Sequence, residues 1–246
     1  MPCYIMHLCE GQIIYNSIKQ SENVLQNCPV AAAQLSLPDA MDSFLTGTII
    51  PDAIDDKSIT HFRPAYQGDL ITKYPDVDHI LELYPLSHMT LADLGILAHL
   101  HMDYLYVEEF WPHFFRFEDK SGATTTVTSD IDHVRMLRGS MAASDTLIDF
   151  AEFFSNKYFY GDYDITMPMF RRDYHPHIPV ISPVDITVSE CRFCYLDRLS
   201  SDIKNYILSP AATVPQRSTN VFPYDALREF LSLSAEQFIK MLKEHI

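Results

Sequence analysis

The sequence is poor in glycine, in basic residues and in long apolar runs. Its 246 residues include only seven glycines, and neither a Gly/Ser-rich linker nor a repeated unit divides them. Scarce glycine and apolar residues at helical spacing favour helices over a turn-rich β fold. Because 47% of the residues are hydrophobic, a sizeable core can be buried. We therefore predict an all-α fold made of one domain that spans residues 1–246.

Basic residues are too few to form a polyanion-binding surface. The chain has 18 Lys and Arg against 33 Asp and Glu, which gives a net charge of −15. Such a surface repels nucleic acids and anionic lipid headgroups, and Arg171 and Arg172 form only a pair. No run approaches the roughly 20 apolar residues of a membrane-spanning helix. The N-terminal segment also lacks the pattern of a signal peptide, so we expect a cytoplasmic protein without a transmembrane segment.

The cysteines agree with that location. Five cysteines, an odd number, favour reduced thiols over a disulfide framework. Cys191 and Cys194 form a C-x-x-C pair, but a structural zinc site needs two further ligands nearby. Two roles stay open for the pair: a zinc or redox site, and ordinary packed thiols, which the sequence favours.

The most apolar segment of the chain contains two histidines and an aspartate. This segment, residues 95–106, reads GILAHLHMDYLY. Upstream of it, Thr90 and Asp93 resemble a helix N-cap, and no proline follows until Pro112. We predict a helix over residues 90–110 near the centre of the fold.

The polar side chains of this helix lie on two faces. His99 and Asp103 are four residues apart and project from one face, within an apolar stripe, whereas His101 points about 200° away from His99. A buried carboxylate is costly unless something compensates its charge. Two arrangements would do so: a His–Asp hydrogen bond within the core, or a divalent metal ion held by both side chains.

A second motif has the same mixture of apolar and metal-ligating residues. Residues 47–62 read GTIIPDAIDDKSITHF, in which Asp52 follows Pro51 and His61 comes nine residues later. The apolar neighbours of Asp52 indicate a loop that turns inward, and the alternative is an acidic surface loop with an isolated histidine. His7 also has apolar neighbours, and such a histidine is commonly a satisfied core residue.

Taken in order, these motifs resemble the zinc-dependent phospholipase C family. That family includes bacterial phosphatidylcholine-hydrolysing phospholipase C and the catalytic domain of clostridial alpha-toxin, and the S1/P1 nucleases are similar in fold. The resemblance covers roughly residues 3–110, from the early histidine through GTIIPDA…ITHF to LGILAHLHMDYLY. It implies a single-domain helical bundle of the phospholipase C/P1 nuclease type, with up to three zinc ions in a cleft between helices.

The resemblance implies roles for five residues. Asp52 would be a metal ligand and the candidate general base, and His61 would be a ligand after it. His99 and Asp103 would form the H-x-x-x-D pair, with Asp103 bridging two ions. His7 would bind the second of these ions. One to three zinc ions are expected, and two are favoured.

The ligands of a further ion stay open. The family uses a histidine-rich stretch with a glutamate after the H-x-x-x-D helix, and this chain has no clear H-x-x-x-E motif there. The nearby candidates are Glu108, Glu109, His113, Asp130 and His133.

The function implied by the resemblance is metal-dependent phosphoester hydrolysis, with a small-molecule or lipid phosphoester as substrate. Neutral imidazole and carboxylate groups are suitable zinc ligands. Bound zinc lowers the pKa of a water molecule from about 15.7 to about 7. Two alternatives stay open: a metal-binding or degenerate relative without hydrolase activity, and a metallohydrolase that acts on another class of substrate.

The C-terminal half has weaker signals. Residues 145–160 have the pattern of an amphipathic helix, and the capping box SAEQ at 234–237 predicts the start of a final helix toward His245. The proline-rich and aromatic segment 161–190 predicts an irregular connection. Its H-x-H motif at residues 175–177 is more typical of a loop than of a metal site.

Overall fold

The computed structural model describes residues 2–192, 194–207 and 218–244. The chain is mostly helical, with 59% helix and 6% strand, so the predicted helical class is confirmed. None of the described helices is both long and apolar enough to cross a membrane. The α-helices of the described residues are α1 (Tyr4–Gln20), α2 (Pro29–Gln34), α3 (Ala40–Gly47), α4 (Lys57–Thr60), α5 (Val77–Leu83), α6 (Leu91–Leu105), α7 (Phe150–Phe153), α8 (Phe159–Tyr174), α9 (Leu196–Asp202) and α10 (Tyr224–Glu244).

A small antiparallel sheet is the main difference from an all-α chain. Its strands are β1 (Phe115–Glu118), β2 (His133–Met136) and β3 (Leu147–Asp149), which pair in that order. Strands of three or four residues are too short to show a clear alternation in the sequence. The sheet is fixed by a buried carboxylate, since Glu118 Oε1 accepts a hydrogen bond from Arg135 Nε at 2.7 Å.

Two expectations for the C-terminal half are wrong, and a third, the irregular connection over residues 161–190, holds only from residue 175 to residue 188. The segment 145–160 contains β3, α7 and only the first residues of α8, instead of one helix. Helix α8 continues through the first part of the expected irregular connection 161–190, even though Pro168 lies inside it. The final helix begins at Tyr224, upstream of the SAEQ capping box, and His245 lies outside the described residues. In α8, burial of residues such as Phe170 outweighs the helix-breaking signal of Pro168.

Helix α6 is the centre of the fold, as predicted. All of its residues except Tyr104 are buried. A reciprocal capping box begins the helix: the Asp93 N–H donates to Thr90 Oγ1 at 3.2 Å, and the Thr90 N–H donates to Asp93 Oδ2 at 2.9 Å. A π-helical turn over Tyr106–Phe110 then extends the helix. Because α6 is surrounded by protein, each of its polar side chains needs a partner.

Helices α3 and α6 cross at two glycines. A Cβ atom on Gly47 would lie 2.1 Å from the carbonyl oxygen of Ala92, and one on Gly95 would lie 2.1 Å from that of Phe44. Only glycine permits so close an approach of the two backbones. The crossing brings the segment that follows α3, including Asp52, against the middle of α6.

Candidate metal centre

Five side chains from separate parts of the chain converge beside α6. His7 projects from α1, Asp52 follows α3, His61 directly follows α4, and His99 and Asp103 belong to α6. All five are buried, and Asp52 is the most exposed of them at 7%. The structure thus brings together every residue that the resemblance places in the metal centre. Their role as metal ligands stays a prediction.

The ligand atoms of four of these side chains lie around the Nε2 atoms of His61 and His99. His61 Nε2 lies 3.5 Å from Asp52 Oδ1 and 3.2 Å from Asp103 Oδ2. His99 Nε2 lies 3.3 Å from His61 Nε2, 4.0 Å from Asp52 Oδ1 and 3.7 Å from Asp103 Oδ2. A tetrahedral zinc ion places its N and O ligands about 3.3–3.6 Å apart. We call these four side chains the acceptor cluster.

The hydrogen bonds behind the two imidazoles determine which nitrogens face the cluster. His99 Nδ1 lies 2.8 Å from the carbonyl oxygen of Thr48, so this nitrogen is the one that donates a proton. His61 Nδ1 lies 3.1 Å from Thr60 Oγ1, whose own hydroxyl donates to the carbonyl oxygen of Pro51 at 2.8 Å. His61 Nδ1 is therefore also a donor. In both neutral imidazoles, the Nε2 atom presents a lone pair to the cluster.

The acceptor cluster consequently requires a cation. Two Nε2 lone pairs face each other across 3.3 Å, with carboxylate oxygens beside them. Acceptors cannot hydrogen-bond one another, and the buried oxygens of Asp103 have no hydrogen-bond partner among the described residues. A metal ion, or a proton on His61 Nε2, would satisfy these atoms. The donor set of imidazole and carboxylate groups fits zinc.

His7 forms a second group with the same helix. Its ring stacks on His99, with centroids 3.8 Å apart and planes inclined by 17°. His7 Nε2 lies 3.6 Å from Asp103 Oδ1, the oxygen not used in the acceptor cluster. His7, His99 and Asp103 are close enough to hold an ion together, as are Asp52, His61 and His99. Since its two oxygens face different groups, Asp103 can bridge two ions.

Electrostatics keep the carboxylates ionised. Burial raises the pKa of Asp103, but the electrostatic interactions with His99 and His61 outweigh burial and lower it to about 2. Burial also raises the pKa of Asp52, yet His61 and His99 bring it well below its usual range. The pKa of His7 and that of His99 are lowered, chiefly by burial. Ionised carboxylates and neutral imidazoles are the forms that bind metal.

His61 is the site where a proton competes with a metal ion. Burial opposes its protonation, but the carboxylates of Asp103 and Asp52 outweigh burial and raise its pKa. A metal ion that enters the acceptor cluster must therefore displace this proton, so metal binding should strengthen as the pH rises.

A cleft leads to the acceptor cluster through Asp52. The cleft has a volume of about 530 Å³, and Asp52 is the member of the cluster that lines it. Its lining includes the basic residues Lys57, Arg63 and Lys73 and several aromatic residues, among them Trp111. We call this space the basic cleft. Three cations are concentrated here although the whole chain has a net charge of −15.

Sequence reasoning missed two ionisable residues beside the centre. Lys57 Nζ lies 2.6 Å from Asp52 Oδ1. Lys57 stands between Asp52 and His61 in the sequence, and this position could have indicated that it lies near both. Glu10 is buried one turn after His7, accepts a hydrogen bond from Ser234, and has a pKa raised by burial to about 8. Its i, i+3 spacing from His7 was visible in the sequence.

The open candidates for a further ion lie elsewhere. Glu109 and His113 line a separate groove beside α10. His133 is bound to the buried carboxylate of the sheet, and Glu108 and Asp130 are exposed. Within the described residues, none of these five joins a group of three metal-ligating side chains.

The H-x-H and C-x-x-C motifs also lie outside the centre. His175 ends α8, and His177 Nε2 lies 2.6 Å from Asp42 Oδ1. The thiol of Cys191 is buried and interacts with that of Cys194. In the part of the chain that the structure describes, neither motif contributes to a metal-ligating group.

Comparison of the chain with protein-family models, with curated proteins and with solved structures finds no match.

Proposed function

We propose that the chain is a zinc-dependent phosphoester hydrolase. The observation that carries this proposal is the position of the acceptor cluster: it requires a cation, and it opens through Asp52 into the basic cleft. The order of the motifs, which resembles that of the phospholipase C family, also supports it. A second ion held by His7 and Asp103 belongs to the same proposal.

The basic cleft supports an anionic substrate. Lys57, Arg63 and Lys73 can neutralise the charge of a phosphoryl group, which a protein of net charge −15 would otherwise repel. The aromatic residues of the lining, such as Trp111 and Phe159, suit an apolar alcohol group of an ester. A phosphoester has both parts, whereas a carboxylic ester or an amide has no charge for the three cations to bind.

Each residue has a role that follows from its position. A bound zinc ion would lower the pKa of a water molecule to about 7. Asp52 is ionised and reaches the cleft, so its carboxylate is placed to accept a proton from that water. Thr48 and Thr60 hold His99 and His61 in the tautomers that bind metal.

One observation favours the non-catalytic alternative. The Lys57 ammonium already neutralises Asp52, with its Nζ atom 2.6 Å from Oδ1. If Lys57 kept this contact in the metal-loaded protein, Asp52 would be a poor proton acceptor. The chain would then bind metal without hydrolysing esters.

Metal analysis combined with an activity assay tests the proposal. Protein purified without chelators should contain zinc, hydrolyse bis-p-nitrophenyl phosphate or p-nitrophenyl phosphocholine, lose activity to a chelator and regain it with zinc. Zinc without phosphoesterase activity would support the non-catalytic alternative. Turnover of p-nitrophenyl acetate alone would support another class of metallohydrolase, and absence of metal binding would contradict all three.

A further inference from the structure

A second pocket lies beside the other face of α6. It has a volume of about 420 Å³, and its walls include Tyr66, Tyr74, Tyr104 and the acidic pair Asp76 and Asp78. We call it the tyrosine pocket. None of the five residues of the metal centre lines it, and its volume is within the usual range of small-ligand sites, about 300–1,000 Å³.

The aromatic rings of the tyrosine pocket form a partial cage. The rings of Tyr74 and Tyr104 have centroids 5.6 Å apart and planes inclined by 73°, so they form two adjoining walls. Tyr66 stands at the rim and is 71% exposed. The faces of aromatic rings have a negative electrostatic potential, so they attract cations. Alkylated ammonium groups are suitable ligands for such rings, because they are too large and too weakly hydrated for a metal site.

The polar groups of the pocket favour a positive ligand. Asp76 and Asp78 provide carboxylates, and the described lining contains neither Lys nor Arg. His101 also lines the pocket and is only 8% exposed.

From these observations we infer that the tyrosine pocket binds a small organic cation with an alkylated ammonium group. The rings and the two carboxylates attract the cationic group. The inference does not depend on the proposed hydrolase activity, because the two sites have different lining residues.

Calorimetric titration of the full chain with choline tests this inference. The neutral analogue 3,3-dimethylbutan-1-ol has the same shape without the charge, so it separates cation binding from apolar binding. We expect saturable binding of choline and binding of the alcohol that is at least about tenfold weaker. Equal binding of the two compounds, or no saturable binding of choline, would overturn the inference.

A matched set of variants places the binding in the tyrosine pocket. Tyr66→Leu removes an exposed ring and should weaken choline binding at least about threefold, whereas Tyr66→Phe keeps the ring and should have little effect. Tyr195→Leu changes a comparably exposed tyrosine outside the pocket and serves as the control. Unchanged binding in Tyr66→Leu, or an equal loss in Tyr195→Leu, would contradict the assignment.

Discussion

Replacing Asp103 with asparagine removes one charge from the acceptor cluster and preserves the shape of the side chain. Asp103 Oδ2 lies 3.2 Å from His61 Nε2, so the asparagine amide can donate to the lone pair that a metal ion would otherwise take. At a pH where His61 is neutral, the metal-free variant should therefore be at least as stable as the wild type. Its affinity for zinc should fall by about 100-fold or more, since even removal of an outer partner of a metal ligand costs about 10–100-fold.

The effect can be measured as a change in the thermal stabilisation by zinc. Free zinc at about 1,000 times Kd stabilises a folded protein by about 4.1 kcal/mol. For 246 residues this corresponds to a rise in Tm of about 8 °C. At the same zinc concentration, a variant with about 100-fold weaker affinity should gain only about 1.4 kcal/mol, or about 3 °C.

Differential scanning calorimetry in zinc buffers provides the comparison. His101→Gln is the control, because His101 lies on the same helix but outside the acceptor cluster. It should keep the full shift in Tm. Equal shifts in Asp103→Asn and the wild type, or no shift in the wild type, would refute the assignment of Asp103 as a metal ligand.

Four further results are expected. Asp52→Asn cannot accept a proton, so turnover of bis-p-nitrophenyl phosphate should fall at least about 10²-fold while metal content by elemental analysis stays nearly constant; equal turnover would contradict its role as the base. Lys57→Met removes the cation that lies 2.6 Å from Asp52, so zinc should bind more tightly in competition with a chelator. Gly95→Ala would place a Cβ atom 2.1 Å from the Phe44 carbonyl oxygen, and Tm should fall by several degrees. Burial lowers the pKa of His101 to about 4 in the folded protein. The contribution of the neutral imidazole to stability is therefore complete above about pH 6.5 and is lost as the pH falls toward 4. In His101→Gln, the unfolding free energy measured over this pH range should depend less on pH.

The central helix could be predicted because its signals are local. The Thr90–Asp93 capping box and the spacing of His99 and Asp103 both lie within one short segment, and the structure contains both features. The convergence of Asp52 and His61 on this helix required the resemblance, since residues 38 or more positions away from His99 leave no periodic signal.

Other features depend on tertiary contacts that no local pattern reveals. The partner of His99 is the backbone carbonyl group of Thr48, and every residue has such a group, so the sequence cannot single it out. Helix α8 tolerates Pro168 because buried residues such as Phe170 hold the helix in the core. The sheet was missed because its strands are stabilised by a buried network around Glu118 rather than by their length.

The metal centre and the core depend on the same helix crossing. Gly47 and Gly95 allow α3 to approach α6 closely enough for Asp52 to reach His99, so the positions of the ligands are fixed by backbone packing rather than by the metal. This preorganisation gathers several buried acceptors that, in the metal-free protein, share at most one proton on His61 Nε2, which lowers its stability. Binding of an ion that satisfies those acceptors removes this loss of stability, and the free energy recovered adds to the affinity for the ion. If the centre holds zinc as proposed, its affinity for the ion and the lower stability of the metal-free state are two consequences of one arrangement, and variants that relax the crossing should weaken both the fold and the affinity for zinc.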